Sequence, residues 1–320
     1  MNRLIAPMNI TPARRKFLYA TAFLALLATK GKVSAAVVTW DGSASDGLWD
    51  TGANWDSNSA PGTTDQVIIQ NGDTVTRASS ISLNDLTGTT NDGLDLRHGT
   101  LNITGGFTST TNGGTSSSPD SNFGVSGGAT VGTLTMTGTL TLGNLNASSG
   151  SSASFNIFTG SSVSANAFAG DHTSGTGVGG YSINVYGGGF NITNTFDWSD
   201  IASDGSANIG RIVIGSTTSA VGGTVMVGTM NNDWDDDGNR YVLFNDSLGS
   251  LTFGKTNWTN LADVQALIAG NSIRKDVSIT NSFLITDTGT SWTVTIIPEP
   301  ETALLGGLGV LLLLRRRRVG

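Results

Sequence analysis

The stretch TLTMTGTLTL, from Thr133 to Leu142, alternates threonine with apolar residues or glycine at every position. Successive side chains of a β-strand point to opposite faces of the sheet. The pattern therefore predicts one strand over residues 133–142, with one face made of threonine and the other almost entirely apolar.

The same period of two recurs from Ile68 to about Ile214, and each short run ends in a turn rich in glycine, asparagine or serine. Strand starts recur about 20 to 25 residues apart, close to one coil of a β-solenoid. We therefore predict an all-β body that is a parallel β-helix (β-solenoid), with an antiparallel β-sandwich or jelly roll as the alternative. The runs that carry this prediction are Ile81–Leu83, Thr100–Thr104, Phe155–Phe158, Tyr181–Tyr186, Gly189–Ile192 and Arg211–Ile214.

The composition of the body, residues 37–297, also favours strands and turns. All of its 22 acidic residues are aspartate, and the whole chain has no cysteine. Short aspartate side chains satisfy turns, whereas glutamate mainly serves helices. Without cysteine, no disulfide contributes to stability.

The charge of the body is masked by the two ends of the chain. Only seven of the 17 basic residues lie in the body against its 22 aspartates, so its net charge is −15, although the whole chain carries −7. Binding to nucleic acid requires a basic patch. The sequence therefore argues against a nucleic-acid partner.

Residues 1–36 have the organisation of an export signal peptide. A basic cluster, Arg14–Lys16, precedes an apolar stretch, Phe17–Ala28, and small residues offer a cleavage site after Ala35 or Ala36. We predict a signal helix that is removed after export; a single-pass N-terminal anchor is the alternative. The sequence ARRKFL resembles a twin-arginine motif, so that route stays open beside the favoured general secretory route.

The C-terminal segment, residues 298–320, combines a rigid turn, an apolar run and a positive cluster. Pro298, Glu299 and Pro300 cannot continue a strand or enter a helix. As a helix, the apolar run Ala303–Leu314 reaches only about 18 Å, less than the roughly 30 Å hydrocarbon core. We predict a short transmembrane helix that holds the chain transiently in the inner membrane, with its basic end in the cytoplasm. The basic end consists of Arg315, Arg316, Arg317 and Arg318.

A Pro-Glu-Pro box, an apolar run and an arginine cluster, in this order at the C-terminus, resemble the PEP-CTERM sorting signal of Gram-negative bacteria. The resemblance covers residues 296–320 only. It implies recognition by an exosortase-type transpeptidase that cuts near the box, and delivery to the cell surface or to the exopolysaccharide matrix. A simple C-terminal tail anchor is the alternative.

Residues 37–77 place Trp40, Trp49 and Trp55 among aspartate, asparagine and glycine. We interpret this segment as an N-terminal cap, in which the indoles close the end of an open apolar core. The alternative is a platform for sugars, since an aromatic face stacks on the apolar face of a pyranose. The pattern is similar to the start of autotransporter-type surface β-repeat proteins, which also implies a β-solenoid.

The threonine face of residues 133–142 suggests a second kind of surface. A flat threonine array orders water in ice-binding solenoids, but such an array requires threonine pairs stacked on successive coils. The sequence displays one good row, so an ordinary amphipathic strand is the simpler interpretation.

One stretch has the spacing of a calcium loop. Asp233, Asp235 and Asp237 occupy alternate positions before a glycine, as in the D-x-D-x-D-G motif. Phe244 stands where the motif needs a bidentate carboxylate, and Asp246 comes two residues later. The alternatives are a weak calcium site and an acidic surface turn; no other cofactor is predicted.

Residues 250–297 are predicted to close the far end of the body. One helix is expected between Asn260 as its N-cap and Gly270 as its end, with Leu261, Val264, Leu267 and Ile268 as an apolar stripe. Strands are expected over residues 276–286 and 291–297.

Catalytic chemistry has few candidate residues. His98 and His172 are the only histidines, and without cysteine or glutamate in the body the usual zinc, thiol and glycosidase groups are missing. We predict an exported, non-enzymatic protein of the cell surface or exopolysaccharide matrix. The alternatives are an enzyme that acts on extracellular polysaccharide and a carbohydrate- or ice-binding module.

Overall fold

The computed structural model describes residues 36–85, 93–111, 120–144, 152–172, 180–198, 209–231 and 240–297. The predicted signal peptide, up to residue 35, and the predicted sorting segment, residues 298–320, lie outside the described residues. Among the residues that are described, none of the helices has the length and apolar character that crossing a bilayer demands.

The described residues form an all-β structure with one α-helix, α1 (Leu261–Ala269). The strands, in chain order, are β1 (Val37–Thr39), β2 (Gln66–Ile69), β3 (Thr74–Arg77), β4 (Ile81–Asp85), β5 (Leu94–Leu96), β6 (Gly99–Ile103), β7 (Phe107–Thr111), β8 (Asp120–Phe123), β9 (Gly132–Met136), β10 (Thr139–Asn144), β11 (Ser152–Phe158), β12 (Ser162–Ala165), β13 (Ala167–His172), β14 (Gly180–Tyr186), β15 (Gly189–Asp197), β16 (Ile209–Ile214), β17 (Gly223–Met230), β18 (Arg240–Phe244), β19 (Gly249–Gly254), β20 (Ile273–Lys275), β21 (Phe283–Asp287) and β22 (Ser291–Ile296).

These strands wind into a parallel β-solenoid, which confirms the first choice of fold. The first stack runs in the order β1-β2-β5-β8-β11-β14-β16-β18-β20, and the second runs β3-β6-β9-β12-β15-β17-β19. The third stack is shorter and consists of β4, β7, β10 and β13, which joins the end of β15. All neighbours within these stacks pair in parallel, so the antiparallel sandwich is excluded for this part of the chain.

The coils are longer than the sequence spacing predicted. Side chains that bond across neighbouring coils are separated by 27 residues (Asn122 and Asp95), by 34 (Asn156 and Asn122) and by 28 (Asn184 and Asn156). The predicted 20 to 25 residues came from the spacing between strand starts, and some of those strands lie in different stacks of the solenoid. One coil contains up to three strands, so it needs more chain.

The stretch from Thr133 to Leu142 is two strands rather than one. β9 lies in the second stack and β10 in the third, and the chain turns a corner at Gly138 between them. A Cβ at Gly138 would lie 2.7 Å from the backbone of Gly105 in the coil below, so only glycine fits. The alternation continues through this corner: the threonines lie on the outside of both strands, and the apolar side chains are buried.

The core is made of inward side chains that stack in register from coil to coil. One column in the second stack is almost completely buried and belongs to seven parallel strands followed by the antiparallel β22. Burying each such side chain contributes about 1.5–3 kcal/mol relative to an exposed one. The column consists of Val75, Leu101, Leu134, Val163, Phe190, Val225, Leu251 and Val294.

A polar ladder runs along the outer side of the first stack. Asn122 donates to Asp95 at 2.7 Å, Asn156 donates to Asn122 at 2.9 Å, and Asn184 donates to Asn156 at 2.8 Å. Ser182 closes the upper end by donating to Asn184 at 2.8 Å. The amides of Asn122 and Asn156 thus bond to the coils on both sides, and Asn184 bonds to one coil and to Ser182 of its own strand, which fixes the register between coils.

The far end of the solenoid differs in part from the prediction. α1 begins at the N-cap Asn260, whose side chain accepts from the Asp263 N–H at 3.1 Å, and Val264 and Leu267 are buried as expected. Leu261 is instead 45% exposed. The strand expected over residues 276–286 is β21, which begins only at Phe283; β22 pairs antiparallel with both β21 and β19.

Replacing the central amide of the ladder tests its contribution to stability. Asn156→Ala removes one bond to each neighbouring coil, so we expect the free energy of unfolding to fall by about 1–2 kcal/mol. Denaturant unfolding of the purified full chain measures this loss. Ser154→Ala is the matched control, because Ser154 lies on the same strand face and its side chain forms no hydrogen bond to another described residue. Equal effects of both variants would contradict the ladder.

Candidate functional site

The three tryptophans predicted as a cap or a sugar platform form one buried cluster. Trp40, Trp49 and Trp55 are each 1–2% exposed, and Trp55 contacts the other two edge to face with ring centroids 5.0 and 4.8 Å away. The Trp55 indole N–H donates to the Trp49 carbonyl at 2.7 Å. Rings buried to this degree offer no open face on which a pyranose could stack, which disfavours the sugar-platform alternative.

Asp46 organises the loop that holds this cluster. Its carboxylate accepts from the Leu48 N–H at 2.9 Å, from the Thr51 hydroxyl at 2.7 Å and from the Asn54 amide at 2.5 Å. These bonds, the Leu48 N–H first among them, hold the pKa of Asp46 below its ordinary value.

The lowered pKa of Asp46 predicts how the stability of this loop depends on pH. Because the pKa is lower in the folded than in the unfolded state, the carboxylate stabilises the fold above the unfolded-state pKa. This contribution is lost as the pH falls through the folded-state pKa. We expect Asp46→Asn to lower the thermal midpoint at neutral pH and to converge with the wild type in acid. Ser43→Ala, in the same loop, should follow the wild type throughout; a constant gap at all pH values would contradict this account.

The predicted calcium ligands Asp233, Asp235 and Asp237 lie outside the described residues. Asp246, which follows them, is described and buried. Its oxygens accept from the backbone N–H groups of Ser216 (3.1 Å), Val221 (3.2 Å), Gly222 (2.9 Å) and Leu248 (3.0 Å). Asp246 is thus used to join two turns, and the described part of the chain has no group of three histidine or acidic side chains placed to hold a metal.

The two histidines are not placed together by the described structure. His98 is exposed in the turn between β5 and β6, beside Gly72 of the coil below. His172 is the last residue of β13, in the third stack, and its side chain lies outside the described side chains.

A long groove follows the corner between the first and second stacks. It consists of two adjoining hollows of about 750 and 480 Å³ that share Asn245 and the loop 216–219. We call it the corner groove. Its main lining residues are Ser126, Phe158, Thr159, Tyr186, Ser216, Thr217, Thr218, Ser219, Asn245, Ser278, Thr280 and Asn281.

One wall of the corner groove is aromatic. Phe158 and Tyr186 end the neighbouring strands β11 and β14 in the same register, and both side chains are half-buried. Their rings stack with centroids 5.8 Å apart and an angle of 29° between the planes. The two rings therefore form a continuous surface along the solenoid axis.

The remaining lining is mostly hydroxyl and amide groups. Ser216 and Thr218 share a hydrogen bond of 3.1 Å, and the Thr159 hydroxyl donates to the Tyr186 carbonyl at 3.3 Å. Asp246 is the charged residue of the lining, and its oxygens already accept four backbone N–H groups. The groove thus offers stacking and uncharged hydrogen bonding to a ligand.

Sequence reasoning placed Phe158 and Tyr186 in strands but did not recognise them as a pair. The signal is present in the sequence, since each aromatic residue ends a strand and is followed within a few residues by glycine. Only the coil length brings the two rings into contact. No protein-family model, curated protein or solved structure matches this chain.

Proposed function

We propose that the chain is an exported, non-enzymatic β-solenoid protein of the cell surface or exopolysaccharide matrix, and that it contacts uncharged polysaccharide through the corner groove. The stacked pair Phe158–Tyr186 above a floor of hydroxyl and amide groups carries this proposal. Export by the N-terminal signal, transient residence in the inner membrane and processing by an exosortase-type transpeptidase belong to the same proposal and are supported by residues 1–36 and 298–320.

The chemistry of the groove favours a sugar as ligand. Aromatic rings offer an apolar face to a pyranose ring, while serine, threonine and asparagine side chains bond to its hydroxyl groups. The groove is open and runs along the axis over several coils, so it suits a linear chain better than a small molecule.

The charge of the body favours an uncharged polysaccharide. With a net charge of −15, the body repels acidic polymers at low ionic strength. None of the described residues that line the corner groove is basic, so these residues offer a uronate or sulfate group no cation to neutralise it.

Replacing the two rings tests the groove. Phe158→Ala and Tyr186→Ala should each weaken binding to a neutral polysaccharide by roughly two- to tenfold, since an aromatic stacking contact contributes about 0.5–1.5 kcal/mol. Retardation of the full chain in native gels cast with neutral or acidic polysaccharides measures the affinity.

Ring-preserving variants provide the control for this experiment. Phe158→Tyr and Tyr186→Phe keep the stacked surface and should bind like the wild type. The proposal that the corner groove binds polysaccharide is overturned if no neutral polymer retards the wild type. It is also overturned if the alanine variants are retarded as strongly as the wild type.

Truncation tests the sorting part of the proposal. A chain that ends at Ile297 lacks the whole segment 298–320, so we expect it to be released into the medium, while the wild type is shortened and retained at the cell surface. Fractionation of cells and medium, with mass measurement of the mature C-terminus, gives the answer. Identical distribution of both chains would contradict sorting by this segment.

A further inference from the structure

The outer side of the second stack carries two parallel rows of small polar side chains. Strands β3, β6, β9 and β12 pair in parallel without a register shift, so outward residues two positions apart fall into two straight rows. We call this surface the hydroxyl face. Its first row is Thr74, Thr100, Thr133 and Ser162, and its second row is Thr76, Asn102, Thr135 and Ser164.

The same pattern continues beyond β15, although less regularly. Thr224 and Ser250 extend the first row and Thr252 the second, while Gly189 and Met226 interrupt them. The antiparallel strand β22 adds Thr293 and Thr295, which lie opposite Thr252 and Ser250. The stacked pairs that residues 133–142 alone could not reveal are therefore present on successive coils.

The hydroxyl groups of the regular part have no partner within the described residues. None of the threonine and serine side chains of the two rows from β3 to β12 forms a hydrogen bond to another described group, and Thr74, Thr76 and Thr135 are exposed. By contrast, Thr252 and Thr293 bond to each other at 3.0 Å. The open hydroxyl groups must therefore bond to water or to a ligand.

The rows repeat at fixed distances. Neighbouring strands are about 4.8 Å apart, and residues two positions apart along a strand are about 6.7 Å apart. Threonine is restricted at its first side-chain torsion, so its hydroxyl has few available positions. The residues between the rows, such as Leu101 and Leu134, are buried without measurable exposure and anchor the sheet.

The hydroxyl face is also uncharged over its eight regular positions, although the body carries −15. Charged groups bind water strongly in their own geometry and disturb a regular water layer. Threonine instead places a methyl group beside each hydroxyl, which leaves the adjoining water free to follow the spacing of the rows.

We propose that the hydroxyl face orders water at this spacing and adsorbs to crystalline ice. Ordering water costs entropy for every molecule that is immobilised. Because a rigid array already orders the water beside it, less entropy is lost when the face meets ice. A polysaccharide is the less suited ligand for this face, because the two rows offer no aromatic ring and no groove. The hydroxyl face and the Phe158–Tyr186 pair lie on different sides of the corner. Variants of the hydroxyl face therefore test ice binding without changing the proposed polysaccharide site.

The test measures partition of the full chain into a slowly growing ice front and the shape of single ice crystals. Thr135→Tyr places a bulky ring in the middle of the second row and should reduce incorporation into ice at least tenfold. Thr135→Val, which keeps the shape and removes the hydroxyl, should produce a smaller loss.

Thr141→Tyr is the matched control, because Thr141 is an outward threonine of β10 in the third stack. This variant should enter ice like the wild type, and circular dichroism melting curves establish that all variants fold. Exclusion of the wild type from ice would overturn the proposal. Equal incorporation of Thr135→Tyr and the wild type would do so as well, as would a Thr135→Tyr effect confined to retardation by neutral polysaccharide.

Discussion

Parallel pairing between successive coils forces equivalent side chains to lie directly above one another, and the rest of the structure depends on this constraint. The buried column from Val75 to Leu251 is continuous because every coil presents an apolar side chain at the same register. The asparagine ladder satisfies the same constraint on the outside of the first stack, where each amide both donates and accepts. The residue type at a given position of this fold is therefore restricted chiefly by the equivalent side chains in the two neighbouring coils.

Aspartate has a distinct part in this arrangement. Asp46 binds three donors within its own loop, and Asp246 accepts four backbone N–H groups from two turns. A short carboxylate reaches nearby backbone groups without a long, flexible stem, which explains why the body contains aspartate and no glutamate. The acidic composition thus reflects the construction of turns and does not by itself indicate a metal or a catalytic site.

The sequence predicted the fold class and the capped helix, but not the dimensions of the coil. Alternation identifies inside and outside positions, and it passes unchanged through the corner at Gly138, so two strands look like one. Coil length varies from 27 to 34 residues in the ladder, which hides the repeat. Contacts between coils, such as Phe158 with Tyr186 or the rows of the hydroxyl face, depend on this length and were therefore beyond sequence reasoning.

The reversal of chain direction at β22 has a consequence for association between molecules. A parallel stack that ended at β19 would expose backbone groups spaced to receive the first strand of another copy, and molecules could then join end to end into a fibre. The hairpin β21–β22 covers that edge and replaces it with one of opposite polarity. Among the described strands, those of this hairpin are the ones that pair antiparallel, so the second stack ends on a strand of its own chain and leaves no parallel edge at β19 for another copy to extend.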